Sequence, residues 1–514
     1  MKQLYAVILF AALVGQATAQ SGTLDPTYGN GGITLLQPGD LHDVAHDVMV
    51  LGDNTSLICG VARYNDHNSI FIAHLFNDGS LDASWGTNSG YTFFTIGEEA
   101  YGYAMGLDSQ GRIYVTGIAY PTFAQAVVPL VRTDGSGIPD ANFGDNGVKL
   151  YALSDSEAEA RDLVVTNGDR IILAGSAVGA DFDRDSFIMR ISEDGTPDAS
   201  FGAGGITINE YTGEDLLNCL TLLDNGSAVG GGYIDDNFVM KSMLFMVDQD
   251  GAPEISFGTV GMVLPAIGVI GHAAWGITSS DTRLYVTGWA AAGAGTDAYV
   301  ACIRSDGSAD PLFNTDGIVT IDANPVDYGY DIVRYANGDL IVCGTSGESG
   351  FGVPRDFLLA RLTANGDPVM SFGTDGVTLT SIQQDFDDAN ALTIDLDGKL
   401  MLAGFTSGFT AGTDNDAVVA RYDVDWTLGT EQAMSVEYGV FPNPVSNDHV
   451  NISQETGRPA HAILRDPSGR VARDFGMVPT GTSRLSVAGL AEGRYMLELR
   501  DSDRASRHAL VIAR

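Results

Sequence analysis

A short pattern that ends in an aromatic residue, glycine and a tight turn recurs seven times, and it constrains the fold more than any other feature of the chain. It reads LDPTYGNGG (24–32), LDASWGTNSG (81–90), PDANFGDNG (139–147), PDASFGAGG (197–205), PEISFGTVG (253–261), ADPLFNTDG (309–317) and PVMSFGTDG (368–376). The aromatic falls at Tyr28, Trp85, Phe143, Phe201, Phe257, Phe313 and Phe372, at spacings of 57, 58, 58, 56, 56 and 59 residues. A near-constant period of this length marks a repeat architecture, in which each unit buries its apolar face against its neighbours.

Each period has the same internal order. A short alternating strand follows the aromatic-glycine motif, then a loop and a second strand, then a tight turn such as Asn225-Gly226 or Asp397-Gly398. A third strand follows and ends in glycine (Gly60, Gly117, Gly175, Gly231, Gly288, Gly344, Gly404), and a longer loop leads to a fourth. Asx-Gly pairs are hairpin signals because such turns need positive φ, which these residues adopt at little steric cost. Period-2 alternation predicts half-buried strands. With Gly at 64 of 514 residues, the expectation is an all-β chain: a seven-bladed β-propeller of four strands per blade, then a small C-terminal β-sandwich. The first motif strand, near Ile33–Leu36, precedes every other strand, and the last blade lacks one. Ile33–Leu36 is therefore expected beside Ala417–Tyr422, clasping the ring and removing its open edges.

The two ends differ from the repeats. Met1–Ala19 carries Lys2, an apolar run and Ala17-Thr18-Ala19, the form of a Sec signal peptide cleaved before Gln20. The expected organisation is 1–19 signal peptide, 20–426 propeller, 427–439 linker and 440–514 a separate small domain. Residues 20–435 hold 16 Lys+Arg against 57 Asp+Glu, whereas 436–514 hold ten Arg, no Lys and nine Asp+Glu. The acidity belongs to the propeller and argues against nucleic acid or an anionic membrane as partner. No stretch after the leader is long and apolar enough for a transmembrane segment. Cys59, Cys219, Cys302 and Cys343 lack CxxC spacing and read as small buried residues.

The repeat, with its D-x-x-F-G-x-x-G, D-G-k-i-x-v-a-G and d-F-x-l-a-R segments, best seen in 356–376 and 396–404, resembles the delta-60 repeat family over roughly residues 24–423. That resemblance implies a propeller and no catalytic residue. Arg190, Arg361 and Arg421 of its last segment are replaced in other copies by His74, Leu130, Met246 and Cys302, which makes the arginine a scaffold residue. The tail resembles the type A C-terminal sorting domain of the type IX secretion system of Bacteroidetes. The matching residues are Val440-Phe441-Pro442-Asn443-Pro444-Val445, Asp466-Pro467-Ser468-Gly469-Arg470, and Leu490, Gly493, Tyr495 and Leu497. This implies Sec export, passage through the outer membrane with the type IX machinery as partner, and release or attachment at the cell surface.

No nucleophile elbow, zinc-protease helix, phosphate loop or paired-cysteine motif is present. Asp181-Phe182-Asp183-Arg184-Asp185 has D-x-D-x-D form, but Ser186 and Ser192 stand where an EF-hand needs Gly and Glu. Asp181, Asp183 and Asp185 are thus candidates only for a looser Ca²⁺ loop, and no cofactor is assigned. In the expected topology two sets of longer loops share one face. Asp43, Glu98, Glu99, Glu157, Glu159, Asp215, Asp327, Asp387 and Asp388 belong to one set; Asp66, Asp183, Asp185, Asp235, Asp297, Asp356 and Asp416 belong to the other. Longer loops are where scaffolds usually carry function. The reading is a secreted or cell-surface binding or adhesion module for an extracellular glycan or protein, with no catalytic residue named. The alternatives are a secreted polysaccharide hydrolase or lyase with carboxylates at the channel mouth, and a purely structural surface protein. No asymmetric His/Asp/Tyr/Arg cluster of the kind an enzyme needs is legible, and near-equivalent loops favour weak multivalent contacts.

Overall fold

The computed structural model describes residues 21–424 and 438–512, except 180, 181, 210, 212, 237, 269, 281, 294, 351, 352, 384, 385, 408–414, 442–447, 455–459, 466–470, 480, 492 and 501–504. The chain divides into two compact units, Met1–Asp425 and Trp426–Arg514. No described residue is α-helical.

In the first unit the pairings among the described residues give seven four-stranded antiparallel sheets. The first is Val44–Val50, Ser56–Tyr64, His67–Leu75 and Tyr91–Phe94, each strand pairing with the next. The motif strand is the outer, fourth strand of the sheet before it, as Ile206–Asn209 is beside Arg184–Ile191. The seventh sheet (Phe386–Ile394, Leu400–Ser407, Asn415–Asp423) takes its fourth strand from the start of the chain. Ile33 pairs with Ala420, Thr34 with Val419, Leu35 with Val418 and Leu36 with Ala417, which is the expected clasp. Thr23–Leu24 extends it by pairing with Asp423 and Tyr422.

The core lies between sheets. Trp85 packs with Ile70 and Ile72 of the first sheet and Val115 and Val127 of the second. Phe143, Phe201, Phe257, Phe313 and Phe372 occupy the same place in the next five seams. The seventh seam closes the ring, with Tyr28, Met401, Ala417 and Val419 against Ala45, Ile58 and Phe71. Both faces of each sheet are covered, so the middle strands are not half-buried as alternation suggested. Ser56–Tyr64 is buried at seven successive residues, which is why these strands read as unbroken apolar runs.

The motif is held by a recurring contact set. The Arg190 guanidinium lies 4.7 Å over the Phe201 ring, pairs with Asp198 at 2.9 Å and donates to the Gln249 carbonyl in the next repeat's turn. Arg421 does the same over Tyr28, with Asp25 and the Asn77 carbonyl. Arg132 does so over Phe143, with Asp140 and the Glu193 carbonyl. The second repeat therefore keeps its arginine, two residues past Leu130. His74 substitutes in the first, stacked on Trp85 and bonded to Asp82. The residue after the aromatic donates its N–H across the seam in most copies, as Gly202 does to Asp250 O, Gly258 to Asp306 O and Asn314 to Asn365 O. Gly373, in the last copy, donates to Ser21, so the N-terminal segment stands in for the missing eighth turn.

Among the described residues the second unit has two antiparallel sheets. One is Tyr438–Phe441, His449–Gln454 and Gly481–Ser486; the other is Val471–Val478, Ala460–Arg465, Gly493–Arg500 and Ala505–Ile512. They share a core of Val450, Ile452, Leu464, Leu497 and Leu510. Buried Glu498 is paired with Arg465 at 3.0 Å. Phe441 ends a strand opposite Asn451, and Pro442, Asn443 and Pro444 lie outside the described residues. Gly493 opens a strand, and the Tyr495 hydroxyl donates to the Ala491 carbonyl at 3.0 Å.

Candidate binding site

Every innermost strand of the propeller breaks register once, at the same place. The pairing skips one residue in each: His46, Tyr103, Arg161, Asn218, Trp275, Tyr330 and Asn390. A β-bulge of this kind turns a side chain away from the ladder. Here all seven bulged residues line one cavity of about 370 Å³, together with Asp47, Asp162, Cys219 and Asp331. Scaffold positions are near-identical around the ring, but this one carries seven side chains of five chemistries. Sequence reasoning found no such cluster because its members stand about 57 residues apart, on strands read as regular.

The signal that marks the bulge was visible without its meaning. The bulge pushes a carbonyl of the inner strand against the neighbouring strand, where only glycine fits. A Cβ on Gly60 would stand 1.9 Å from Val44 O, and one on Gly344 would stand 1.8 Å from Tyr328 O. In the fourth repeat this residue is Gly232, not Gly231. The strands do not end there but run on past the glycine, Ser56–Tyr64 by four residues.

The ring is also braced at the axis across every seam. Asp47 accepts from the N–H of Val48 and, across the seam, from Met105 at 2.8 Å. Asp162 does so from Leu163 and Leu220, and Asp331 from Ile332 and Leu392. Asn218 and Asn390 donate to the carbonyls of Ala274 and Ala45, each at 2.9 Å. The remaining two seams are crossed by rings: Arg161 lies 4.7 Å over Tyr103, and Trp275 meets Tyr330 edge-on at 6.0 Å. Burial pushes the Asp47 carboxyl up to about 7, with the Asp331 charge adding to it. Burial likewise raises Asp162 and Asp331. Burial, then the Arg161 charge, lowers His46 to about 4, so it is neutral at physiological pH.

Toward the longer-loop face the channel opens into a second cavity of about 320 Å³. Tyr233, Met240, Trp289 and Tyr328 join Arg161, Asn218 and Trp275 in lining it. A continuous aromatic wall runs inward from this mouth. Trp289 meets Tyr328 at 6.2 Å, Tyr328 stacks on Tyr330 at 6.1 Å, and Tyr330 meets Trp275.

The acidic loop residues do not form one solvated surface. Asp43, Asp215, Asp327 and Asp387 occupy one repeated position and are buried, with His272 at the same position in the fifth sheet. Each accepts loop or strand N–H groups: Asp43 from Gly39, Asp215 from Ser186, Asp327 from Ala323 and Asn324, and Asp387 from Ile382. Glu159 is buried against Arg161 and Arg184. Asp183 accepts from the N–H groups of Arg184 and Gly213, Asp185 lies on a strand opposite Ala177, and Asp181 is outside the described residues. Among the described residues no three His, Cys, Asp or Glu side chains converge as a metal site. The four cysteines are buried and unpaired, and Cys59 and Cys343 hold matching register positions opposite Asp47 and Asp331.

The architecture is that of a β-propeller repeat protein. Residues 169–201 and 280–313 match the family described as Domain of unknown function (DUF5122) beta-propeller. No curated protein matches the chain. Solved structures similar to it include Sqt1 from Chaetomium thermophilum, at 13% identity and TM-score 0.37, covering 75% of this chain and 98% of that one. A protein from Dyadobacter fermentans matches at 9% and 0.34, covering 76% and 100%. A subtype N11 neuraminidase-like protein of A/flat-faced bat/Peru matches at 10% and 0.34, covering 79% and 97%.

Proposed function

We propose that the chain is an exported binding or adhesion module whose propeller takes its ligand at the axial channel, from the longer-loop face. The observation that carries this reading is the unequal lining of the channel. A ring built of repeated parts needs only small or repeated residues at its axis, yet this one places His46, Tyr103, Arg161, Asn218, Trp275, Tyr330 and Asn390 there. Such convergence of polar groups on an aromatic-walled cavity is the usual form of a ligand site. It favours one ligand per ring over weak contacts spread across seven loops. Binding is preferred to hydrolysis because Asp47, Asp162 and Asp331 each engage two backbone N–H donors, which suits bracing better than proton transfer. Immobilising the purified chain on arrays of glycans and of extracellular proteins tests the reading. Specific retention that is lost in Trp275→Ala supports it; retention that this variant leaves intact refutes the axial site.

The leader at Met1–Ala19 and the F-P-N-P-V and L-x-x-G-x-Y segments of the second unit favour Sec export followed by the type IX route of Bacteroidetes, with the second unit as the sorting domain. Its own shared core supports treating it as a separable address. Removing 436–514 in a type IX-competent host is expected to leave folded propeller trapped in the periplasm. Surface delivery of the truncated chain refutes the assignment.

A further inference from the structure

Resting on the axial-binding reading above, we propose that the channel mouth binds the end of a neutral saccharide chain, one pyranose ring standing against the Trp289–Tyr328–Tyr330–Trp275 wall. The lining is uneven. The four-ring wall belongs to the fifth and sixth sheets, whereas the far side carries His46, Asp47 and Asn390, with Tyr103 there covered by Arg161. A ligand suited to both sides has one face of C–H bonds and a rim of hydrogen-bonding groups, which describes a pyranose. Aromatic faces carry negative charge density that attracts polarised C–H groups, and the polar side offers donors and acceptors to hydroxyls.

Charge narrows the class. An organic cation would be repelled by the Arg161 guanidinium, which lines both cavities and lies 4.7 Å over Tyr103. The Arg161 charge is already met by Glu159 at 3.0 Å, and the burial that disfavours ionised Asp47, Asp162 and Asp331 disfavours an anionic sugar in the same space. Size narrows it again. Cavities of about 370 and 320 Å³ stand at the small end of the roughly 300–1,000 Å³ of small-molecule sites, room for a terminal ring and its neighbour. Trp275 adds an independent sign, because its buried indole N–H has no hydrogen-bond partner among the described residues. Unmet donors at such depth are uncommon, and a bound hydroxyl at the wall would meet this one after a small turn of the ring.

Two of the four tryptophans lie in the site, so intrinsic fluorescence of the full chain reports on it directly. The probes are hexaoses of α-1,4-glucose, β-1,4-glucose, β-1,3-glucose and α-1,6-mannose, with oligogalacturonate and choline as charged contrasts. At least one neutral hexaose is expected to shift the emission saturably, and Trp289→Ala and Tyr328→Ala each to weaken it by about tenfold or more. Both substitutions are at the mouth, and unchanged melting temperatures separate lost binding from lost fold. Preference for oligogalacturonate or choline overturns the ligand class while leaving the axial site standing. Neutral binding that survives both variants overturns the site. If no neutral hexaose binds, the saccharide proposal fails, whereas the broader binding reading fails only if the arrays of glycans and proteins also stay blank.

Discussion

Gly344 and Asp47 show how much of this ring rests on single atoms near the axis. A methyl at Gly344 would overlap the Tyr328 carbonyl, so Gly344→Ala has to displace the bulged strand that carries Tyr330. Overpacking of this kind costs about 1–3 kcal/mol, and a lowered melting temperature with weakened fluorescence response is the expected result. Asp47 makes a prediction about pH. Burial raises it to about 7, Asp43 to about 7 and Asp215 to about 6, against an ordinary carboxyl near 3.8. The folded chain therefore holds protons that the unfolded chain has released between about pH 4 and 7. Stability then falls as pH rises through that window. Asp25 runs the opposite way: burial opposes its ionisation, but Lys399, Thr27 and Arg421 outweigh burial and hold it below its usual range. Stability from Asp25 is lost in strong acid. Melting temperature should therefore be higher at pH 5.5 than at 7.5, and Asp47→Asn should shrink that difference. A difference unchanged in the variant would exclude Asp47 as a source. The glycine was also where the sequence came nearest to the site. A glycine recurs in the same strand of all seven repeats and reads there as the strand's end; only the neighbouring bulge shows it to be a point of close backbone approach. The seven residues it serves differ from one another, so they escaped a search for repetition.

At the level of elements, what repeats was legible and what interrupts repetition was not. The period, the hairpin turns and the offset between the first motif strand and the missing last one all follow from local residue choice, and Ile33–Leu36 pairs where that offset requires. Burial of the middle strands on both faces depends on neighbouring sheets, and alternation within one strand does not report it. The clasp is stronger than one strand. Thr23–Leu24 pairs beyond it, Lys399 and Arg421 both reach Asp25, and Gly373 donates to Ser21. Deleting 20–37 would remove Tyr28 and Leu36 from the closing core and leave Arg421 facing no carboxylate from the motif. Burying two such side chains is worth several kcal/mol, at about 25 cal/mol per Å² of apolar surface. The freed edge of Asn415–Asp423 would also become a template for pairing between chains. The truncated protein is expected to melt earlier and to aggregate on light scattering; a monomer of unchanged melting temperature would show that the clasp is dispensable.

Taken whole, the propeller carries 57 acidic against 16 basic residues, and a ring so charged repels itself unless the charge is met locally or screened. Much of it is met locally. Asp43, Asp215, Asp327 and Asp387 are buried on backbone N–H groups, and Glu157 and Glu159 pair with Arg184. Asp183 accepts from two N–H groups, which leaves it a poor start for a Ca²⁺ loop. The remaining charge is spread over exposed loops, and mobile ions screen such charge within about 8–10 Å at ordinary ionic strength. Screening does not depend on the identity of the cation, whereas a site does. A Ca²⁺ site at a hundredfold excess over its Kd would add about 2.7 kcal/mol to the folded state. Thermal melting in EDTA, in millimolar CaCl₂ and in NaCl of equal ionic strength separates the two. The expected outcome is an equal rise in both salts, unchanged by Asp183→Asn combined with Asp185→Asn. A rise specific to Ca²⁺ and lost in that double variant would mean that a cation ties neighbouring loops together, and that the acidity serves a bound ion as well as a soluble surface.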